Sequence, residues 1–505
     1  MSSSRSAPWF HLCAVIGCLG SASLALCAPP SSPSHVNNCC QTLSAALSSK
    51  VFLPETAAYK ASVSSYWAQG EQLIAPSCVA LPQTAQDVAS ALKALVAGSC
   101  QFAVRSGGHS AVTGIANIQS GVTIDLQGLN STSLSADGSL VSIGAGQHLG
   151  NVFSLLHEHG LYTPAARASG IGAAGSTIGG GVGYLYPKTG FMADSVVQFE
   201  VVLADGSIVN ASKDVNTDLW RALRGGGSNY GIVTNLLAST VPVGDIWGGD
   251  AVYPPSAIGD LAQAFSRFTA NPDYDEDSAV MMSYHWSPTD GNIIDNQYVY
   301  AKPVVSPAAF SEFYPIKGLL ADMTAVTNIP AMSTAQGARS PSGLQQITFS
   351  MSFQNNADVI KDVWNVFNAT IASLSNIQGV SFSLSLEPLM PSMAAKSKAK
   401  GGNVLGLDLP AEGIVVTLLS LTFDKAADYP AMDRMSEKLL ADLQAAAEKR
   451  GASYPFIEMN HAKGSQDVLR SYGDDSYSFL QATAKKYDPA AVFQKLMPGG
   501  FKLCK

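Results

Sequence analysis

Residues 104–110 read Val-Arg-Ser-Gly-Gly-His-Ser and overlap the end of a predicted strand, Phe102 to Arg105. Gly107 and Gly108 carry no Cβ, so the backbone there can turn tightly and come within van der Waals distance of a ligand. Arg105 and Ser106 before them, with His109 and Ser110 after them, put a cation, hydroxyls and a ring nitrogen around the turn. Phosphate groups suit such a concave nest of unpaired N–H groups. A motif this short is also a common structural turn, so its meaning depends on the rest of the chain.

Downstream, Gly170-Ile-Gly-Ala-Ala-Gly175 matches the dinucleotide fingerprint letter for letter, with Asp194 following at the customary distance. That fingerprint needs an apolar strand before it and a helix after it. The preceding residues are instead Thr163-Pro-Ala-Ala-Arg-Ala-Ser169, and Ser176-Thr-Ile-Gly-Gly-Gly-Val-Gly183 follow. Each of those glycines would cost a helix about 1 kcal/mol. The composition therefore predicts loop over 170–183, with Gly170, Gly172, Gly175, Ser176, Gly179 and Gly180 laid against something flat or anionic. Pro187-Lys-Thr189 lacks the glycine of a phosphate-binding Walker sequence. The two stretches together point to a nucleotide held by glycine-rich loops in a domain that is not a Rossmann fold.

A length of 505 residues suggests more than one lobe, and 47% hydrophobic with 13% charged residues marks a globular chain. The net charge of −8, without a basic stripe, argues against nucleic acid as a partner. Arg5, an apolar run from Trp9 to Leu26 and small residues at Ala25 to Ala28 predict a secretory signal peptide over 1–27. The run is too short and too interrupted for a membrane anchor. Cleavage would leave Cys39, Cys40, Cys78, Cys100 and Cys504, which are expected to be oxidised in a secreted chain. A bond between the neighbours Cys39 and Cys40 would be strained, so each is expected to reach Cys78 or Cys100, in either pairing. Cys504 has no obvious partner. Asn130, Asn210 and Asn368 head glycosylation sequons.

Expected boundaries are an N-terminal segment over 28–73, a nucleotide-binding domain over 74–245, a second domain over 246–455 and a C-terminal segment over 456–505. In the first domain, Thr84 and Asp87 form a capping box, and Val88, Ala91, Leu92 and Leu95 make one helical face. Strands are predicted at 122–126 and 141–144, a helix at 149–158, and a hairpin at 199–209 turned by Ala204-Asp-Gly206. In the second, 346–353 and 381–386 alternate strictly, as strands with one wet face do. Helices are predicted near 355–374 and 428–449. The fold class is α+β, with an antiparallel sheet backed by helices beside the first domain.

Arg105-Ser-Gly-Gly-His-Ser110, the 170–183 stretch, Ala204-Asp-Gly206 and Leu223-Arg-Gly-Gly-Gly-Ser-Asn-Tyr-Gly-Ile-Val-Thr234 occur in an order that resembles flavoproteins of the vanillyl-alcohol-oxidase (PCMH) type. Gly401-Gly-Asn-Val-Leu-Gly-Leu407, Lys486-Tyr-Asp-Pro-Ala-Ala-Val-Phe-Gln494 and Pro498-Gly-Gly-Phe-Lys502 resemble their berberine-bridge-enzyme-like branch. The resemblance implies a PCMH-type domain holding FAD, roofed by a substrate domain, with the C-terminal segment returning to the first. It implies that His109 is the residue joined to the flavin 8α-methyl. Ala168 stands where many members have a second, cysteinyl link, so a single link is expected. Ile171 occupies the loop in which a small residue is associated with oxygen access, which leaves oxidase and dehydrogenase behaviour as alternatives.

Flavin oxidation of an alcohol needs a base of suitable pKa beside the reacting carbon. Alcohol- and sugar-oxidising relatives commonly use a Tyr after Asn near the C-terminus, and this chain reads Glu458-Met-Asn-His-Ala462. His461, beside Asn460, is therefore the expected base or orienting group. Glu387, at the end of an alternating strand, and Tyr472, Tyr184 and Tyr186 are further candidates; a Tyr that some relatives place in the glycine loop is replaced by Val182. His157 and His159 diverge on a helix and cannot share a metal, and no metal-ligand spacing occurs. His148 reads as a surface or helix-start residue, and no Gly-x-Ser-x-Gly elbow is present. The expected activity is a secreted, covalently flavinylated oxidoreductase acting on a small alcohol-like molecule with O2 as acceptor. The alternatives are an oligosaccharide oxidase and a flavin-bearing cyclase or binding protein without net redox. Oligomeric state stays open.

Overall fold

A computed structural model of the chain describes residues 33–374 and 376–503. The predicted signal peptide and Cys504 lie outside the described residues. The first ordered element, the helix Pro33–Leu47, carries Cys39 and Cys40. Neighbouring side chains on a helix point about 100° apart, so the two sulfurs leave in different directions. Cys39 bonds Cys100 and Cys40 bonds Cys78, which resolves the two pairings left open by spacing. Both bonds fasten this helix to the strand Cys78–Ala80 and to the end of the helix Ala85–Ala97. That second helix begins with the expected Thr84/Asp87 capping box and buries Val88, Ala91, Leu92 and Leu95 completely.

Two small sheets follow. In the first, Cys78–Ala80, Val122–Asp125 and Phe102–Arg105 run parallel, with Val51–Phe52 antiparallel at the edge. The second is antiparallel throughout and orders its strands Thr132–Leu134, Leu140–Gly144, Ile232–Ser239, Val196–Val202, Ile208–Ser212. The last two strands are the predicted hairpin. Neither sheet has the doubly wound topology that the dinucleotide fingerprint requires.

One prediction in this half is corrected. Residues 170–183 are not all loop, because Ala173–Ile178 forms a short helix with Gly175 inside it. Glycine costs a helix propensity, but this one is enclosed by tertiary packing, and its Ala173, Ala174, Ser176 and Thr177 are buried. The dense glycines come into force at its end, where Gly179 caps it and Gly180 and Gly181 take positive φ of 105° and 68°.

Beyond residue 246 a ten-stranded antiparallel sheet forms. Its centre runs Ile246–Tyr253, Gly291–Tyr300, Ser278–Ser287, Ser381–Leu389, Ile414–Phe423 in space. Val280, Met282, Tyr284, Phe382, Leu384, Leu386, Leu419 and Leu421 point to one face, where helices Ile258–Ala270, Ala357–Ile371 and Tyr429–Lys449 complete a core. The predicted strand 346–353 is broken into Gln345–Phe349 and Ser352–Gln354. At the break, the Ser350 and Met351 amides donate to Gln466 Oε1 and Thr417 Oγ1, both at 3.1 Å.

In Ser381–Leu389 the alternate face, expected to be wet, is buried over most of its length, and only Ser381 and Ser383 stay partly exposed. Ser385 and Glu387 are only 8% and 1% exposed, and Ala279, Val299, Leu389, Ile414 and Val416 join the core of the first lobe. The sheet is a wall shared by two lobes, so strict alternation here marks polar contact between lobes rather than solvent. The C-terminal segment returns to the first lobe as expected: Phe102 N–H donates to Leu496 O at 2.8 Å, and Asn229 Nδ2 to Phe501 O at 3.0 Å. No helix among the described residues is long and apolar enough to cross a membrane.

Cys39 and Cys100 are 61 residues apart. Replacing both with Ser should lower the unfolding free energy by roughly 4 kcal/mol, the loop-closure value for that separation. Urea titration of the variant reads this directly, and an unchanged midpoint would mean that the bond contributes nothing.

Candidate active site

The two glycine loops meet backbone to backbone. A Cβ built on Gly107 would lie 2.5 Å from Gly172 Cα, and one on Gly172 would lie 2.3 Å from the Gly107 nitrogen. Glycine is therefore required at both positions. Gly108 also takes a left-handed φ of 69°. Beneath the turn, Arg105 is fully buried. Its guanidinium donates to Ser62 O, to Ser65 O at 3.1 Å and to Ser65 Oγ at 2.9 Å. It also pairs with Asp125 at 3.5 Å and lies 3.9 Å over the Tyr66 ring. These contacts direct its charge inward to the scaffold of the loop. Ser106 Oγ donates to Ala145 O at 2.6 Å, and Ser110 Oγ accepts from the Val112 amide at 3.1 Å.

His109 stacks on Trp67 with ring centroids 4.4 Å apart and planes within 7°. Enclosure pushes its pKa down to about 4, opposed by a hydrogen bond to its own backbone and aided by His148, so the imidazole is neutral at neutral pH. On its other side, a Cβ at Gly170 would sit 3.7 Å from His109 Cδ2. His148 stands at a helix start as expected, at the N-cap of Leu149–Glu158, and it also contacts this loop: its Nδ1 lies 2.8 Å from Gly170 O, and a carbonyl only accepts, so Nδ1 carries the proton. Trp67 was not legible as a site residue. It holds both lobes at this point, accepting at its carbonyl from Gly343 N (2.8 Å) and donating from Nε1 to Ser340 O (3.1 Å).

A second group lies where the shared sheet meets the second loop. Arg167 Nη1 donates to Glu387 Oε1 at 2.6 Å, and the other Glu387 oxygen, also buried, finds no hydrogen-bond partner. Burial alone would raise the pKa of Glu387, but the charges of Arg167 and then His461 outweigh it and hold the carboxyl below its ordinary value. His461 N–H donates to Glu458 Oε2 at 2.9 Å. Its Nδ1 lies 3.5 Å from the same oxygen, an ion-pair distance rather than a hydrogen bond, and has no other partner. Burial raises the pKa of Glu458, with His461 opposing and Glu387 adding to the rise. Asn460 Nδ2 ties the segment across the lobes, donating to Ser176 O at 3.0 Å and to Glu458 Oε1 at 3.1 Å. Gly179 makes room for it, since a Cβ there would fall 2.2 Å from Asn460 Oδ1.

His461 and Glu387, separate candidates in the sequence, thus stand in one group. Arg167 and Glu458 were missed. The only signal for Arg167 was its being the lone charge in an apolar stretch. Tyr472 stacks on Phe456 with its hydroxyl enclosed and unpartnered, near enough to Glu458 to feel its charge. Burial pushes its pKa well up, as it does for Tyr184 and Tyr186, so these phenols are donors and not bases at neutral pH. His157 faces Asp245 at 3.9 Å at a helix end, and among the described residues no group could hold a metal.

The residues fit a long, flat, anionic cofactor. The loops present glycine backbone, an open face beside Gly175, and a neutral imidazole at one end. Fold and site therefore define a flavin-type oxidoreductase. Residues 76–212, spanning both loops, match a family model described as FAD binding domain. The FAD-dependent monooxygenase sdcF of Emericella nidulans is 32% identical over 473 residues, covering 92% of this chain and 98% of that protein. Bifunctional solanapyrone synthase of Alternaria solani is 33% identical over 433 residues, covering 85% and 82%. Among solved structures, carbohydrate oxidase from Microdochium nivale superposes with a TM-score of 0.75 at 20% identity, covering 92% of this chain and 100% of that one. A berberine-bridge-like protein of Physcomitrella patens gives 0.74 at 18%, covering 93% and 99%. The chain belongs to the family of these FAD-dependent oxidoreductases, with the fold of berberine-bridge-like proteins.

Gly172→Ala should separate the loops and yield folded protein without flavin. The ratio of 450 nm to 280 nm absorbance reads it, and a fully yellow variant would contradict the contact.

Proposed function

We propose that the chain is a secreted oxidoreductase that removes the elements of hydride and proton from a small alcohol-like molecule, with O2 as final acceptor. The observation that carries this reading is the buried Arg167–Glu387–His461–Glu458 group. It presents an unpartnered carboxylate oxygen and an unpartnered imidazole nitrogen at the lobe junction. FAD, when bound, supplies the two-electron acceptor. His461 takes the hydroxyl proton, and the imidazolium so formed is stabilised by the ionised Glu387. Glu387 stays ionised because Arg167 neutralises it, and Glu458 fixes the position of the ring. The enclosed, neutral His109 supports a single covalent attachment, and Ala168 has no thiol to offer a second. Secretion is supported by the two disulfides and by the exposure of Asn130, Asn210 and Asn368. A second reading, oxidation of a saccharide, is favoured by the hydroxyl-bearing inner face of the sheet, where Ser283 and Ser385 pair at 2.8 Å.

Under anaerobic mixing with a substrate alcohol, His461→Gln and Glu387→Gln should each slow flavin bleaching by about 10²–10⁴-fold, the range for a lost general base. Bleaching at the wild-type rate in both would exclude this group from the chemistry. Acid-precipitated, washed protein should stay yellow and His109→Ala should not; a colourless wild-type pellet refutes the attachment. Removing Arg167 takes away the larger of the two charges that oppose burial at Glu387, so the carboxyl takes a proton at higher pH. The acid limb of kcat/KM in Arg167→Gln should therefore move up by about 1–3 pH units, and a limb that stays put would show that Glu387 does not govern it.

A further inference from the structure

A cavity of about 290 Å³ opens beside the candidate site and is used by nothing above. Besides Ile347 and Thr348 of the strand Gln345–Phe349, three stretches wall it. One is 111–113, beginning two residues after His109; another is 463–465, beginning two residues after His461. Two residues of chain span at most ~7 Å, so both walls lie within reach of the site. The third wall is the long helix Tyr429–Lys449, where Tyr429, Asp433 and Glu437 recur every four residues and share one face.

Lys463 joins these walls. It is 9% exposed, and its ammonium lies 2.8 Å from a carboxylate oxygen of Asp433 and of Glu437 and 2.9 Å from Ser436 Oγ. Its charge is thereby matched inside the wall, and each carboxylate keeps a second oxygen for the cavity. One ammonium against two carboxylates leaves a net negative lining, which repels anions and accepts hydrogen bonds from hydroxyl or ammonium groups. Val112 and Ile347 supply apolar wall beside them. Glu387, Tyr184 and Tyr186 are at most 2% exposed, so the group around Glu387 is closed to solvent where these residues pack.

We infer that this cavity is the entrance and distal subsite for the substrate. It would take a neutral or cationic molecule whose hydrocarbon part carries hydroxyl or amine donors, and would disfavour carboxylates. The inference rests on the oxidoreductase reading for its meaning, but its test reads binding without turnover. Holoenzyme is titrated with benzyl alcohol, benzylamine and benzoate, and occupancy is followed by saturation-transfer NMR and by perturbation of the flavin spectrum.

The two donors should bind, with benzoate at least about tenfold weaker. Val112→Trp, which fills the cavity, should abolish donor binding. Glu437→Gln, on the exposed side of the wall, should weaken it about tenfold, the loss for one charge-assisted hydrogen bond. Unchanged flavin absorbance and thermal midpoint in both variants show that the fold is retained. Failure of both donors to bind, equal binding of benzoate, or undiminished donor binding in Val112→Trp overturns the subsite. Donor binding that Val112→Trp abolishes, with no alcohol ever bleaching the flavin, keeps the subsite and sinks the oxidoreductase mechanism. Bleaching with the same KM in wild type and Val112→Trp does the reverse.

Discussion

The contact between Gly107 and Gly172 leaves no space for a side-chain carbon on either residue, and much of the cofactor-binding lobe is arranged around it. Arg105 is buried beneath the first loop, bonded to Ser62 and Ser65 of the N-terminal segment and paired with Asp125, which fixes the height of the turn. His148 holds the second loop by its Gly170 carbonyl. With both loops pinned, the His109 ring stacks on Trp67 and lies against the second loop at Gly170. The close approach follows from covalent geometry, while its persistence follows from a buried arginine that would be costly to leave unpaired.

Charge at the lobe junction has the same character. Arg167 comes from the first lobe, Glu387 from the shared sheet, and Glu458 and His461 from the returning C-terminal segment. Burial by itself raises the pKa of both carboxyls, Glu387 and Glu458. Glu387 is an ion because Arg167 is beside it, whereas Glu458, without a cation in contact, is pushed toward its protonated form. Two nearby carboxyls with opposite tendencies are a familiar means of separating acid and base roles. The group exists only when the lobes are docked, which links cofactor-lobe assembly to the competence of the site.

Much of the local structure was legible from pattern. The capping box at Thr84, the buried face of its helix, the hairpin at Ala204-Asp-Gly206 and the helix Leu149–Glu158 rest on short-range preferences, and they stand where periodicity put them. The misreadings had tertiary causes. Ala173–Ile178 is helical despite its glycine because packing overrides propensity over a short, enclosed stretch. The alternating strand Ser381–Leu389 hides most of its polar face, because alternation reports two different surroundings and cannot say whether one of them is water.

Sequence by itself determined the ingredients: two glycine loops unable to form a Rossmann turn, a histidine at the rim of one, an Asn-His pair near the C-terminus, and cysteines placed for cross-links. These are chemical identities and short spacings, which neighbouring residues constrain directly. Tertiary structure alone decided that Cys39 reaches Cys100, that Trp67 covers His109, and that Arg167 and Glu458 complete the group around Glu387 and His461. Those facts depend on residues tens to hundreds of positions apart meeting in a low-dielectric interface. There, burial and opposite charge set the protonation states that no local pattern encodes.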